Sequence, residues 1–226
     1  MVLSTPYDET KESERIAGTV GRPCHEALVR LVSLDRPQID NKLNVLIESS
    51  SARDEIHAGE AENLIGELQI KGPMVFKAYH NKPAQTREAF TDDGWFRTGD
   101  TAEFLREKKI YKIVGRTSVD VIKSGAYKIS ALDIERELLA HPLVDDVAVM
   151  GLSDEVWGQK VFALIVLKEN NKASFDQEEF IRWCKERLPK QSVPKLIKLV
   201  DKMPRNLLGK VNKRDLINTY EKEFVK

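Results

Sequence analysis

Apolar residues in this sequence change their spacing once, near Gly115–Arg116, and that change limits what the chain can fold into. Before it they alternate in short runs: Ala27 to Ser33, Leu43 to Glu48, Gly66 to Gly72, and Ile110 to Val114. Period-two alternation bounded by glycines and polar stretches marks half-buried strands. Thr86–Phe90 reads as the end of a short helix, and Gly94, Gly99 and the pair Trp95–Phe96 as a tight packed turn. SSARDEIHAGEAEN, within the polar stretch Asp35–Asn63, reads as a surface excursion.

After the change, helical periods enter. Val119–Lys123 reads as a strand, and Ser130 opens a helix over Ala131–Ala140 with Asp133 as its acidic capping partner. His141–Pro142 stops that helix. Val144–Gly151 and Lys160–Leu167 are strands. Phe175–Leu188 is a helix with Phe180, Ile181, Cys184 and Leu188 inward, Lys195–Val200 a strand, and Lys213–Phe224 a last helix. The expected fold is α+β: a β-rich, barrel-like subdomain followed by a small C-terminal α+β domain, joined by a hinge. The expected boundaries are 1–16 disordered or extended, 17–115 β-rich, 116–118 hinge, and 119–226 a mobile domain.

Composition narrows the function. Thirty-six Lys and Arg balance thirty-six Asp and Glu, so net charge gives no reason to expect nucleic acid or a membrane as partner. The longest apolar run, Val161–Leu167, is too short to cross a bilayer. Cys24 and Cys184 cannot make a disulfide scaffold, and with His25, His57, His80 and His141 scattered they fit no zinc signature. No Asn-x-Ser/Thr acceptor occurs, and a reducing intracellular compartment is expected. The first fifteen residues carry early acids and no apolar signal core.

Neither a dinucleotide glycine motif, a phosphate loop, a nucleophile elbow nor a His-Glu-x-x-His helix is present. Three features stand out instead. Asp100, in WFRTGD, follows a glycine turn and can accept two hydrogen bonds from a sugar diol; an ordinary turn acid is the plain alternative. Gly115–Ser130 places an Arg after Gly and later a Gly–Ala step where a ligand can pass bare backbone; a simple strand–turn–helix connection is the alternative. Lys210, on the glycine turn of PRNLLGK, can swing a point charge onto a phosphate or carboxylate; a solvated lysine is the alternative. From Lys185 onward, twelve Lys and Arg face five acids, which suits a polyanionic ligand or a solvated face.

In order, GELQIKGPMVFKAYHNKP, TDDGWFRTGD, GRTSVDVIKSGAYKISALDIE and PRNLLGKVNK resemble four consecutive motifs of the adenylate-forming (AMP-binding) enzymes. That superfamily includes acyl-CoA synthetases, luciferases and peptide-synthetase adenylation domains. Within it, LLAHPLVDDVAVMGLSDEVWGQ is most similar to the malonyl-CoA synthetase branch. The resemblance covers residues 17–220 and only the C-terminal part of the family's length. It implies that the phosphate loop, the magnesium-associated Glu and the acyl pocket precede Met1.

The resemblance implies an ATP-dependent acid–CoA ligase that works through an acyl-adenylate and then a thioester. Its partners would be a small carboxylic acid, ATP with Mg2+, and coenzyme A as co-substrate. Lys210 would be the catalytic adenylation lysine. Asp100 and Arg116 would bind nucleotide, and Ser124 and Gly125 coenzyme A, with Lys128 added from its charge alone. Ser118 would be the hinge, though many members carry Asp or Lys there. Phe76, Tyr79 and Trp157 are expected to pack, and Trp183 to be partly buried. The branch implies the mitochondrial matrix. The alternatives are a catalytically incompetent fragment that binds nucleotide or coenzyme A, and a carrier-protein-loading domain.

Overall fold

The structure, a computed structural model, describes residues 2–5, 18–35, 38–39, 42–59, 64–169 and 175–224. Most of the segment expected to be disordered or extended, 1–16, lies outside them. The chain divides into two compact units, Met1–Ile113 and Val114–Lys226.

The first unit is a curled, antiparallel half-barrel. Its elements are β1 (Leu3–Ser4), β2 (Thr19–Pro23), β3 (Leu28–Ser33), β4 (Gln38–Ile39), β5 (Lys42–Leu43), β6 (Val45–Ser49), β7 (Asp54–Ile56), β8 (Ile65–Lys71), α1 (Pro83–Ala89), β9 (Phe96–Leu105) and β10 (Ile110–Arg116). The strand order is β1-β2-β10-β9-β8-β3-β6-β7, while β4 pairs only with β5. The alternating runs place Val29, Leu31, Ile47, Leu68, Phe104 and Tyr111 in one core. The Tyr111 hydroxyl donates to Ser49 Oγ at 2.6 Å, which satisfies its polar end, and burial pushes its pKa up. The surface excursion contains a short edge strand, β7, paired to β6.

Trp95 is buried, with the Arg30 guanidinium 4.4 Å from its ring centroid. Arg30 is itself buried; it donates to Gln69 Oε1 at 2.8 Å and to both oxygens of Asp93 at 2.7 and 3.1 Å. This fork holds the turn Asp92–Gly94 against the sheet. Hydrogen bonding from Arg30, opposed by partial burial, lowers the Asp93 pKa from 3.8 to about 2.

The second unit holds β11 (Val121–Ser124), β12 (Tyr127–Ser130), α2 (Ala131–Leu139), β13 (Val144–Asp154), β14 (Gly158–Leu167), α3 (Gln177–Arg187), β15 (Leu196–Leu199) and α4 (Lys213–Phe224). The sheet runs β12-β11-β14-β13, and β15 pairs parallel to β14. Ser130 caps α2 as the sequence implies, its Oγ accepting from the Asp133 amide at 3.2 Å. Neighbouring residues of β13 and β14 point to opposite faces, and both faces are covered. Val147, Val149, Ala163 and Ile165 pack under α2 and α3 with Ile134, Leu138, Phe180 and Cys184. Ala148, Met150, Phe162 and Leu164 pack with Leu216 and Tyr220 of α4. Strands buried on both faces read as unbroken apolar runs, as Val161–Leu167 does.

Two elements differ in kind from their sequence readings: the stretch from Phe96 through Gly99, expected to be part of a tight turn, belongs to the ten-residue strand β9, and the connection into α2 is a hairpin. Ser124–Ser130 is the turn and second strand of a β11–β12 hairpin rather than a plain connection into the helix. The unbuffered step Gly125–Ala126 supplies the two-residue turn, with Gly125 at φ +59°.

Asp93→Asn is expected to destabilise the first unit by about 1 kcal/mol at pH 7, allowing for solvent screening of the exposed carboxylate. Because the folded pKa is depressed, this contribution is present above pH 3.8 and fades as pH falls toward about 2. Urea titrations of parent and variant at neutral and acid pH should converge at the acid end.

Candidate functional site

In the first unit, Asp100 follows Gly99 inside β9, at a bulge. Glu67 opposes Thr101 and Gln69 opposes Arg97, so Thr98, Gly99 and Asp100 together face Leu68 alone. Gly99 sits at φ +73°, which lets the strand turn out and back. The Thr98 hydroxyl donates to the Leu68 carbonyl at 2.8 Å and accepts from the Asp100 amide at 3.0 Å, fixing the bulge. An open cleft of about 460 Å³ adjoins it, lined by Glu67, Tyr79, Lys82, Arg97 and Gly99 among others. Gly99 is thus a strand bulge and not part of the packed turn at Gly94. Phe76 and Tyr79 are each about 40% exposed, so they form a surface cluster with Phe90 and Phe96 and not a core.

In the second unit, the turn after β10 carries Arg116 and Ser118, both exposed. It is closed at both ends. The Asp120 amide donates to the Arg116 carbonyl at 2.8 Å, and Asp120 Oδ2 accepts from the Arg116 amide at 2.9 Å. Gly115 has φ +137°, and a Cβ there would lie 2.4 Å from Asp120 Cβ. Only glycine lets that carboxylate reach back over the turn.

The hairpin beyond it groups Ser124, Gly125 and Lys128. Lys128 stands opposite Lys123 in the register, which puts two ammonium-bearing side chains side by side. The Gly125 amide donates to the Trp157 carbonyl at 2.7 Å. Trp157 is 55% exposed, and an added Gly125 Cβ would lie 3.4 Å from its ring. It packs over the hairpin turn at the surface of the unit and does not enter the core. Tyr127, at the start of β12, and Val156, next to Trp157 in sequence, are also exposed. Trp183 is partly buried, edge-on to His141 at 4.8 Å.

Lys210 lies on an exposed loop organised by Asn206. Asn206 Oδ1 accepts from the amides of Leu208 and Lys210 at 3.0 and 2.9 Å, and its own amide donates to the Lys210 carbonyl at 2.9 Å. Arg205 donates to the Gly209 carbonyl at 2.9 Å and to Asp146 Oδ2 on β13 at 2.6 Å. Behind the loop, Lys213 at the start of α4 pairs with Asp120 at 2.5 Å and Glu135 at 2.7 Å. Burial raises the Glu135 pKa, against the attraction of Lys213 and the Val149 amide.

The Lys210 loop and the Gly125 hairpin are not brought together. Arg205 anchors the loop at Asp146, which faces Val166, whereas the hairpin is anchored at Trp157–Gly158. At a strand rise of about 3.3 Å per residue, those anchor points lie about 25 Å apart along the β14 ladder. Asn206, Lys213, Asp120 and Glu135 escaped the sequence reading. Only the Asn-to-Gly spacing of PRNLLGK hinted at Asn206, as a side chain able to close a turn.

Residues 133–210 match the AMP-binding enzyme C-terminal domain. The chain belongs to the AMP-binding enzyme family. It is 45% identical over 218 residues to malonate–CoA ligase ACSF3, mitochondrial, of Bos taurus, covering 96% of this chain and 36% of that protein. It is 35% identical to the malonate–CoA ligase of Arabidopsis thaliana, covering 99% of this chain and 33% of the relative. The crystal structure of ATP-bound MatB from Rhodopseudomonas palustris superposes with a TM-score of 0.74 at 29% identity, covering 99% of this chain and 39% of the other. The chain therefore spans about a third of the length of these relatives and matches the C-terminal part of malonate–CoA ligases. Among the described residues, no helix is long and apolar enough to cross a membrane.

Gly115→Ala is expected to destabilise the second unit by about 2 kcal/mol or more, since backbone and Asp120 must both shift. Chemical denaturation followed by fluorescence of Trp157 and Trp183 would measure it.

Proposed function

We propose that this sequence is the C-terminal third of an ATP-dependent acid–CoA ligase whose acid is malonate or methylmalonate. One observation carries the reading: 45% identity to a malonate–CoA ligase over 96% of this chain. In the first step the acid's carboxylate attacks the α-phosphorus of ATP and pyrophosphate leaves. In the second, the coenzyme A thiolate attacks the acyl carbon and AMP leaves.

Lys210 serves the first step. Its ammonium offsets the repulsion between the incoming carboxylate and the α-phosphate. The Asn206 turn and Arg205 support this by holding the loop that presents it. Asp100, on its bulge beside the cleft, accepts from the ribose hydroxyls, a task that needs only acceptors. Arg116 meets ribose or phosphate. Ser124 and Gly125 border the pantetheine arm in the second step, with Lys128 toward a coenzyme A phosphate. The spacing of about 25 Å between the Asp146 and Gly158 anchor points along β14 supports turning the unit at Arg116–Ser118, so that each device visits the reacting atoms in turn. Among the described residues, no group of three or more His, Cys, Asp or Glu would hold a metal ion. The magnesium that accompanies ATP would be held largely by the phosphates themselves, and we assign it no residue of this sequence. We place the protein in the mitochondrial matrix, following the name of its ACSF3 relatives.

A second reading is a module that binds nucleotide or coenzyme A without turnover. Calorimetry of this polypeptide with AMP and with coenzyme A, beside an assay for malonate-dependent pyrophosphate release, separates the two.

Joined to the large portion of a malonate–CoA ligase, the sequence should support both half-reactions. Lys210→Ala should then cut adenylate formation about 100-fold while sparing thioester formation from supplied acyl-adenylate. Gly125→Leu should do the reverse. Equal loss of both half-reactions in either variant would defeat these assignments.

A further inference from the structure

Lys213 lies three residues past Lys210, and its side chain is only 11% exposed. The two carboxylates it meets, Asp120 and Glu135, are also largely buried. Buried charges survive only where every partner is in place, since desolvation costs more than a lone pair returns. Each oxygen used here has its partner. Asp120 Oδ2 takes the Arg116 amide, Oδ1 takes Lys213, and Glu135 Oε1 takes both Lys213 and the Val149 amide on the edge of β13. One ammonium thus joins the turn after Arg116, α2 and β13 to the base of the Lys210 loop. The loop is itself cross-tied through Asn206 and Arg205. A loop stiff within and fastened at its base follows the part to which it is fastened.

We propose that Lys213 is a positioning residue that couples the Lys210 loop to the turn following Arg116, making loop and turn one rigid piece. Its consequence for adenylation rests on the function proposed above, but the coupling is a property of this chain alone. A misplacement of about 1 Å at a reacting group can cost about 100-fold in rate, so a fixed base for Lys210 has chemical value.

The test uses the full 226-residue chain. Amide exchange is followed by NMR at Arg116, Asn206, Gly209 and Lys210, with the β14 amides Phe162–Leu167 as reference for global opening. Lys213→Met and Asp120→Asn (which keeps an oxygen for the Arg116 amide) should each speed exchange in the Lys210 loop about tenfold relative to β14. Their double variant should go no further, and Lys213→Arg should restore most of the protection. Additive effects, or a loop unaltered while β14 is also unaltered, would overturn the proposal. If Lys213→Met does not fold, Asp120→Asn against Lys213→Arg decides in the same way. In the joined ligase, Lys213→Met should lower adenylation about tenfold and leave thioester formation from supplied acyl-adenylate within about twofold; equal loss of both would count against positioning. A joined parent enzyme without adenylation would defeat the function reading, while the exchange data would still decide the coupling.

Discussion

The second unit is built around the antiparallel ladder of β13 and β14, which pairs Val144 with Leu167 at one end and Asp154 with Gly158 at the other. Every other element of the unit takes its place from it. The ladder is apolar on both faces, so it must be covered twice, by α2 and α3 on one side and α4 on the other. Each buried Val, Leu or Ile contributes about 1.5–3 kcal/mol, and the ladder carries a row of them on each face. Those helices in turn deliver the polar groups: Ser130 and Glu135 on α2, Lys213 on α4.

The same ladder gives the unit two chemically unlike ends. Near one end a guanidinium–carboxylate pair on Asp146 steadies a loop that projects an ammonium. At the other a tryptophan carbonyl holds a glycine turn beneath the Trp157 ring. On the function proposed above, turning the unit as a rigid body would bring these two ends to one reacting centre in turn.

Local pattern revealed much of the fold. The Lys213–Phe224 helix matches its reading at both ends, and the Ser130 cap forms the bond its spacing implies. Both signals depend on neighbours a few residues apart. The β11–β12 hairpin was harder to see because its turn, Gly125–Ala126, lacks the Asn-Gly or Asp-Gly pair that usually announces one. The bulge at Gly99 was hidden because a bulge is defined by the strand opposite, here β8. That Trp157 packs at the surface over a turn was hidden because its partner, Gly125, lies more than thirty residues away in sequence.

By itself the sequence determined several of the strands, the helices that follow residue 130 and, through four ordered motifs, the family. These follow from rotamers, backbone sterics and short-range spacing, all written into adjacent residues. Only the tertiary structure decided that Lys213 finds Asp120 across 93 positions, that Asp146 steadies Arg205, and that the lysine loop and the glycine hairpin sit far apart. Such pairings depend on how the ladder brings distant segments into register, and charge attracts charge without regard to sequence separation.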